Sequence, residues 1–186
     1  RIKRATPDIC RNLIEKNEEE KLLFDKIELG ESKTIEFKES LSLDVRQSQN
    51  NKSYQPKKES YIELAVLKTI AGFLNTDGGE LFIGVSDDSK VLGIENELHK
   101  LHKSSKDKFQ LHLKTLIKEN IGLGFNNFIN QKVLKIDGKE IIHITCKQSQ
   151  EAVYIKNIDF YIRSGPSTDK LEGRDLVKYT NTRFKN

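Results

Sequence analysis

Two cysteines, no methionine and no apolar stretch of membrane-spanning length are the first features of this 186-residue chain. Cys10 and Cys146 are far apart and have no metal-ligand neighbours. They form no disulfide framework, and a cytoplasmic protein is expected. No run of about 18 apolar residues occurs and the N-terminus lacks a signal-peptide core, so no membrane association is expected. A chain that starts at Arg1 without any methionine reads as one domain of a larger protein. His99, His102, His112 and His143 show no metal-binding spacing, and no GxxxxGK[ST] pattern is present, so neither a histidine metal site nor ATP binding is expected. No internal repeat is found.

The hydrophobic share is low (35%) and the charged share high (32%), which implies one core under a densely charged surface. The net charge of +4 permits a nucleic-acid partner without demanding one. Residues 1–25 read as a tail or linker with a short charged helix at 18–25, and residues 26–186 as a single domain.

That domain is organised around Leu67 to Ile94. Leu67, Ile70, Ala71 and Leu74 recur at helical spacing, and Asn75 to Gly79 stops the helix. Leu81 to Val85 is apolar on both parities, as a central strand is, and leads into Ser86, Asp87 and Asp88. Gly84 leaves one face of the strand free for another backbone or a ligand. Upstream, Thr34 to Lys38 alternates, with Ile35 and Phe37 inward and Glu36 and Lys38 on the other face. Residues 40–58 read as a long exposed loop, 96–120 as helix with a break near Ser104, and 128–146 as a hairpin through Asp137-Gly138. Two further strands flank Asn157, 164–168 is a loop, and a helix closes the chain. The fold class is α/β in the α+β sense: a mixed, largely antiparallel sheet with helices packed on it.

Three groups of residues carry candidate chemistry. Glu31, Glu36 and Lys38, with Asp87 and Asp88, supply the acids and the lysine that metal-assisted phosphodiester cleavage uses, as candidate ligands for Mg²⁺ or Mn²⁺. The same residues equally describe an edge strand with a solvated face and an ordinary acidic turn. Lys38, Arg46, Lys52, Lys57 and Lys58 supply cations, with tyrosines interspersed, for a nucleic-acid backbone. Arg163, Ser164, Ser167 and Thr168 offer a guanidinium and hydroxyls to a phosphate, or form a plain structural loop.

Taken in order, Glu31-Ser-Lys-Thr-Ile-Glu36-Phe-Lys38, AGFLNTDGGELFIGV followed by VLGI, and YIRSGPSTDKLEG resemble the Schlafen-type AlbA-like domain. The resemblance spans Asp25 to Phe184 and is greatest to bacterial members that form one domain of a larger protein. It implies a nucleic-acid-binding α/β domain. In vertebrate Schlafen proteins, related domains build a two-lobed endoribonuclease for structured RNA such as tRNA, using two glutamates and an aspartate. Glu31 and Glu36 match the glutamates. Ser86 stands where relatives commonly carry an acid, so Asp87 or Asp88 must substitute. A single lobe implies a homodimer. Two functions follow from the resemblance: a metal-dependent endonuclease acting on RNA, as a bacterial defence effector, or a non-catalytic DNA-binding or dimerisation module of a regulator or larger DNA-acting protein.

Overall fold

The computed structural model describes the backbone of residues 7–184 and the side chains of residues 18–184. Helix α1 (Pro7–Glu28) precedes strand β1 (Ile35–Lys38), followed by α2 (Val45–Asn50), α3 (Ser60–Asn75) and β2 (Gly79–Ile83). Then come α4 (Glu95–Leu101), α5 (Lys106–Asn120), a 3-10 turn (Leu123–Phe128), β3 (Ile129–Ile136) and β4 (Lys139–Cys146). The chain ends with β5 (Tyr154–Ile155), β6 (Asp159–Ser164), β7 (Ser167–Leu171) and α6 (Gly173–Arg183).

The strands form a mixed four-stranded sheet, β1-β2-β4-β3, and an antiparallel three-stranded sheet, β5-β6-β7. Strand β1 runs parallel to β2, and β2 runs antiparallel to β4. The α+β class expected from the sequence is the one observed. Among the described residues no helix is long and apolar enough to cross a membrane.

Side-chain alternation assigns the faces of the larger sheet. Phe37, Phe82 and Ile141 point to one side, where Leu23 and Ile27 of α1 cover them. Leu81, Ile83, Ile142 and Ile144 point to the other side and meet α3 and α5. Helix α3 therefore lies between the two sheets. Its second half, from Val66 to Asn75, is buried at every position except Lys68, as a helix with partners all round must be. Gly72 permits this closeness, since a Cβ there would stand 3.3 Å from Thr168 Cγ2 and 3.4 Å from the Ile162 carbonyl carbon. Gly84 has φ +99°, and its Cβ position faces the Gly93 backbone at 3.1 Å, so the space left by its missing side chain holds another stretch of main chain.

Several expectations change. Residues expected as a tail and a short helix are one continuous helix, Pro7–Glu28, whose end enters the core through Leu23 and Ile27. The long loop contains α2, capped by the Asp44 carboxylate, which accepts the Gln47 N–H at 2.7 Å. Val91 makes a single bridge to Val85 rather than a strand. The loop expected at 164–168 is the turn and start of a β6–β7 hairpin; β7 is mostly polar and has no apolar alternation to reveal it. The Asp137-Gly138 hairpin forms as expected, with both residues at positive φ (49° and 75°).

Two polar contacts fasten the layers. Asn75, fully buried at the end of α3, donates to the Val153 and Tyr161 carbonyls at 2.8 Å each and accepts the Val153 N–H at 2.8 Å. Asn75→Ala strands two carbonyls and an amide, and is expected to cost about 3–5 kcal/mol in denaturant unfolding. On the α1 side, Glu80 lies 2.8 Å from His143 Nε2 and 2.5 Å from Lys26 Nζ. The hydrogen bond from His143 leads in lowering its pKa from 4.5 to about 2, with Lys26 assisting and partial burial opposing. A folded-state pKa below the unfolded value means that this stabilisation is complete above about pH 4.5 and is lost as pH falls towards 2. Thermal melts of the wild type and Glu80→Gln across that window should converge at the acid end.

Candidate functional site

Strand β1 begins after a tight turn in which Ser32 Oγ accepts the N–H groups of Thr34 and Ile35 at 3.2 and 3.1 Å. The turn folds Glu31 back so that its carboxylate accepts the Phe37 N–H at 2.9 Å. Glu31 and Glu36, five residues apart in the chain, thus face the same end of the sheet. Parallel pairing of β1 with β2 brings the exit of β2 beside Lys38, whose carbonyl accepts the N–H groups of Gly84 and Val85 at 2.8 and 3.2 Å. The next residues, Ser86 to Asp88, therefore arrive next to β1.

These residues converge electrostatically. Burial raises the Glu31 pKa above its ordinary value, the hydrogen bond from Phe37 opposes the rise, the charges of Glu36 and Asp87 add to it and Lys38 subtracts from it. Glu31 thus feels the charges of Glu36, Lys38 and Asp87. Asp88 is engaged elsewhere, with its carboxylate paired to Lys90 and bonded by the Ser86 hydroxyl. Ser86 is buried and closes the turn, its N–H donating to the Lys90 carbonyl at 3.0 Å.

Glu36 is not on a solvated face. It is 8% exposed and lies under the smaller sheet, whose β6 sends Arg163 across to it. Arg163 Nη1 donates to Glu36 Oε2 at 2.7 Å and to Thr168 Oγ1 at 2.8 Å. Its Nη2 reaches the Ser32 carbonyl at 2.7 Å and its Nε the Lys33 carbonyl at 3.2 Å. Beneath it the Phe73 ring lies 5.0 Å from the guanidinium carbon. Lys38 Nζ takes the other oxygen of Glu36 and the Phe37 carbonyl.

This geometry revises one expected role. The Arg163 side chain has no solvent exposure and its donors are spent on the protein, so it holds the Glu31–Lys38 turn in place instead of presenting a guanidinium to a phosphate. Thr168 likewise serves Arg163, and the Ser167 hydroxyl donates to the Ser164 carbonyl at 2.9 Å. Ser164 and Ser167 remain exposed on the hairpin turn. Sequence reading missed Ser32, Gly72 and Phe73: Ser32 shapes the turn locally through Thr34 and Ile35, but the contacts of its carbonyl, of Gly72 and of Phe73 with β6, β7 and Arg163 span 90 or more positions and carry no local signal.

The acids as arranged do not offer a divalent cation three free carboxylates. Both oxygens of Glu36 are already paired, and one oxygen of Glu31 is held by the backbone. Among the described residues no group of three or more His, Cys, Asp or Glu side chains is close enough to hold a metal ion. Beside the cluster opens a groove of about 430 Å³ lined by Lys38, Arg46, Asp87, Tyr61 and the 43–45 segment. Arg46, Lys52, Lys57 and Lys58 are all exposed along α2 and the connection to α3.

The family model described as Schlafen, AlbA_2 matches residues 31–172, from the first glutamate of the cluster to the end of β7. Among solved structures, the DIP2311 protein of Corynebacterium diphtheriae is similar with a TM-score of 0.55 and 17% identity over 83% of this chain. The match covers 28% of that protein, so the chain spans under a third of its length. The N-terminal domain of a protein described as related to the DNA helicase RecG, from Nitrosomonas europaea, matches at 16% identity over 76% of this chain and 84% of its own, with a TM-score of 0.41.

Arg163→Met leaves Glu36 buried with one partner fewer and frees two backbone carbonyls. It is expected to lower stability by about 3 kcal/mol or more in denaturant titrations, whereas Ser164→Ala should stay within about 0.5 kcal/mol of wild type.

Proposed function

Taking as premise that the chain belongs to the Schlafen AlbA_2 family, we propose that it is a nucleic-acid-binding domain that takes the sugar-phosphate backbone along the α2–α3 face. The observation that carries this reading is the run of exposed cations Arg46, Lys52, Lys57 and Lys58 along α2 and its connection to α3, beside a groove whose wall holds Lys38 and Arg46 together with Glu39, Asp44 and Asp87. Cations on a short exposed segment release condensed counterions when they meet phosphates, which gives affinity without sequence readout. Arg46 is well suited to this work, since a guanidinium matches the paired oxygens of a phosphate. Ser164 and Ser167 are secondary candidates as hydroxyl donors. The family resemblance ranks RNA ahead of DNA, and a homodimer or a neighbouring domain of a longer polypeptide would extend the surface.

A second reading is metal-dependent cleavage at Glu31, Glu36 and Asp87, with Mg²⁺ or Mn²⁺ and Lys38 beside the phosphate. What favours it is that Glu31 feels the charges of Glu36, Asp87 and Lys38, while Lys38 and Asp87 line one groove. Against it stands the pairing of Glu36 with Arg163 and Lys38, which already balances the carboxylate charge. A defence effector corresponds to this second reading, and a regulator or larger DNA-acting protein to the first.

Two measurements test the pair. Fluorescence anisotropy with labelled RNA and DNA should show log K falling steeply with log salt, and Lys52→Ala/Lys57→Ala/Lys58→Ala should flatten the slope by about 1 to 2 if the lysines meet phosphates. An unchanged slope would remove these lysines from the interface. Incubating tRNA and duplex DNA with Mn²⁺ or EDTA, beside Glu36→Gln, addresses cleavage. Metal-dependent cleavage that disappears in Glu36→Gln supports the nuclease. Binding without cleavage, equal in both proteins, leaves a binding domain.

A further inference from the structure

Strand β3 lies at the edge of the four-stranded sheet and, at eight residues, is as long as its partner β4. Among the described residues, no backbone group of residues 130–135 bonds anything beyond the ladder to β4. Asn130, Lys132 and Lys135 are exposed along it. A long strand edge of this kind is a template for one more strand. The opposite edge of the sheet is different, because the turn before β1 folds over it: the Glu31 carboxylate takes the Phe37 N–H and the Ser32 N–H takes the Ile35 carbonyl.

Beside this edge runs a groove of about 480 Å³ between α5, the 3-10 turn and the start of β3. Its wall holds Leu111, Ile117, Leu123 and Ile129, and two of these, Leu111 and Leu123, are 64% and 60% exposed. Single exposed leucines are ordinary, but here both border one concave apolar surface, which is the form an interaction site takes. The charged residues of the wall are Lys114 and Lys118, with no acid among them. Glu119 lines the groove on the other side of α5, and Asp107 stands a turn before Leu111.

We propose that the β3 edge and this groove together form a docking site for an extended peptide segment of a protein partner, one that carries apolar and acidic side chains. Pairing with β3 satisfies the outward backbone groups of the strand. Side chains alternate along a strand, so every second residue of the added segment turns to the α5 side, where Ile129 and Gln131 of β3 line the groove. Apolar side chains there cover Leu111 and Leu123, and carboxylates meet Lys114 and Lys118 at the rim. A second copy of this chain is a poorer occupant of the edge: β3 carries Lys132 and Lys135 and no acid, so two such strands bring only like charges together. A nucleic acid finds two phosphate partners in the wall but gains nothing from a row of backbone groups and exposed leucines. The site uses none of the residues assigned to nucleic acid above.

The test selects phage-displayed random peptides of about ten residues, the upper length of an ordinary strand, on the wild-type chain. Enriched peptides are then synthesised with a fluorophore and titrated into wild type, Leu123→Glu and Lys114→Glu/Lys118→Glu. All three positions are exposed, and circular dichroism melts check that the variants fold as wild type does. The expected peptides combine leucine, isoleucine or valine with aspartate or glutamate, and each variant weakens them by about tenfold or more. Lys52→Ala/Lys57→Ala/Lys58→Ala should leave them unchanged. In amide NMR spectra, bound peptide should slow hydrogen exchange at alternate amides of β3. No enrichment, enrichment of basic peptides, or binding indifferent to both groove variants would overturn the proposal. So would a dimer in sedimentation that Leu123→Glu dissociates, which gives the edge to a second copy. RNA or DNA binding that Lys114→Glu/Lys118→Glu weakens would give the groove to nucleic acid and overturn it as well.

Discussion

The candidate site depends on Arg163, a fully buried guanidinium that joins the smaller sheet to the first strand of the larger one. One nitrogen bridges the Glu36 carboxylate and the Thr168 hydroxyl, and the other two take the carbonyls of Ser32 and Lys33. A lysine has one point of charge and cannot span four acceptors arranged around a plane. Burying such a charge is tolerable only when its partners are complete, and here they are the turn that sets Glu31, the strand that carries Glu36 and the hairpin that carries Arg163 itself. That contact ties together the turn bearing Glu31 and the strand bearing Glu36, while the β1–β2 pairing brings Asp87 alongside.

Helix α3 makes the contact geometrically possible. It is buried between the sheets, and Gly72 lets β6 approach it closely enough for Arg163 to pass over Phe73 and reach β1. Asn75 then fixes the far end of the helix to the smaller sheet through three hydrogen bonds at 2.8 Å. On the outward side the same helix starts at an exposed turn that follows the cationic connection. One helix thus links the interior that holds the acids to the surface that offers cations.

A second buried network supports the groove from below. Glu97 of α4 is 2% exposed and accepts the N–H groups of Leu41 and Ser42 at 2.9 and 2.8 Å, and Ser42 Oγ bonds Glu63 of α3 at 2.8 Å. These contacts hold the start of the 40–58 segment against the core. They explain why a stretch rich in Ser, Gln, Asn and Lys is ordered enough to carry α2 and Arg46 at a defined place.

Much of this was legible in the chain itself. The spacing of Leu67, Ile70, Ala71 and Leu74, the glycines after Asn75, the apolar run Leu81 to Val85 and the Asp137-Gly138 turn each specify a local structure, because backbone sterics and side-chain period act over a few residues. The motif order carried the family, and the acids on β1 and after β2 were visible as candidates. Tertiary structure decided what those residues touch. Whether Glu36 faces water or Arg163, and whether Arg163 meets a ligand or the protein, depend on contacts between residues up to 131 positions apart. Charge compensation and burial are properties of such long-range pairs, and no local pattern encodes them. The polar strand β7 and the continuity of α1 escaped sequence reading because neither shows the apolar period that marks a buried face.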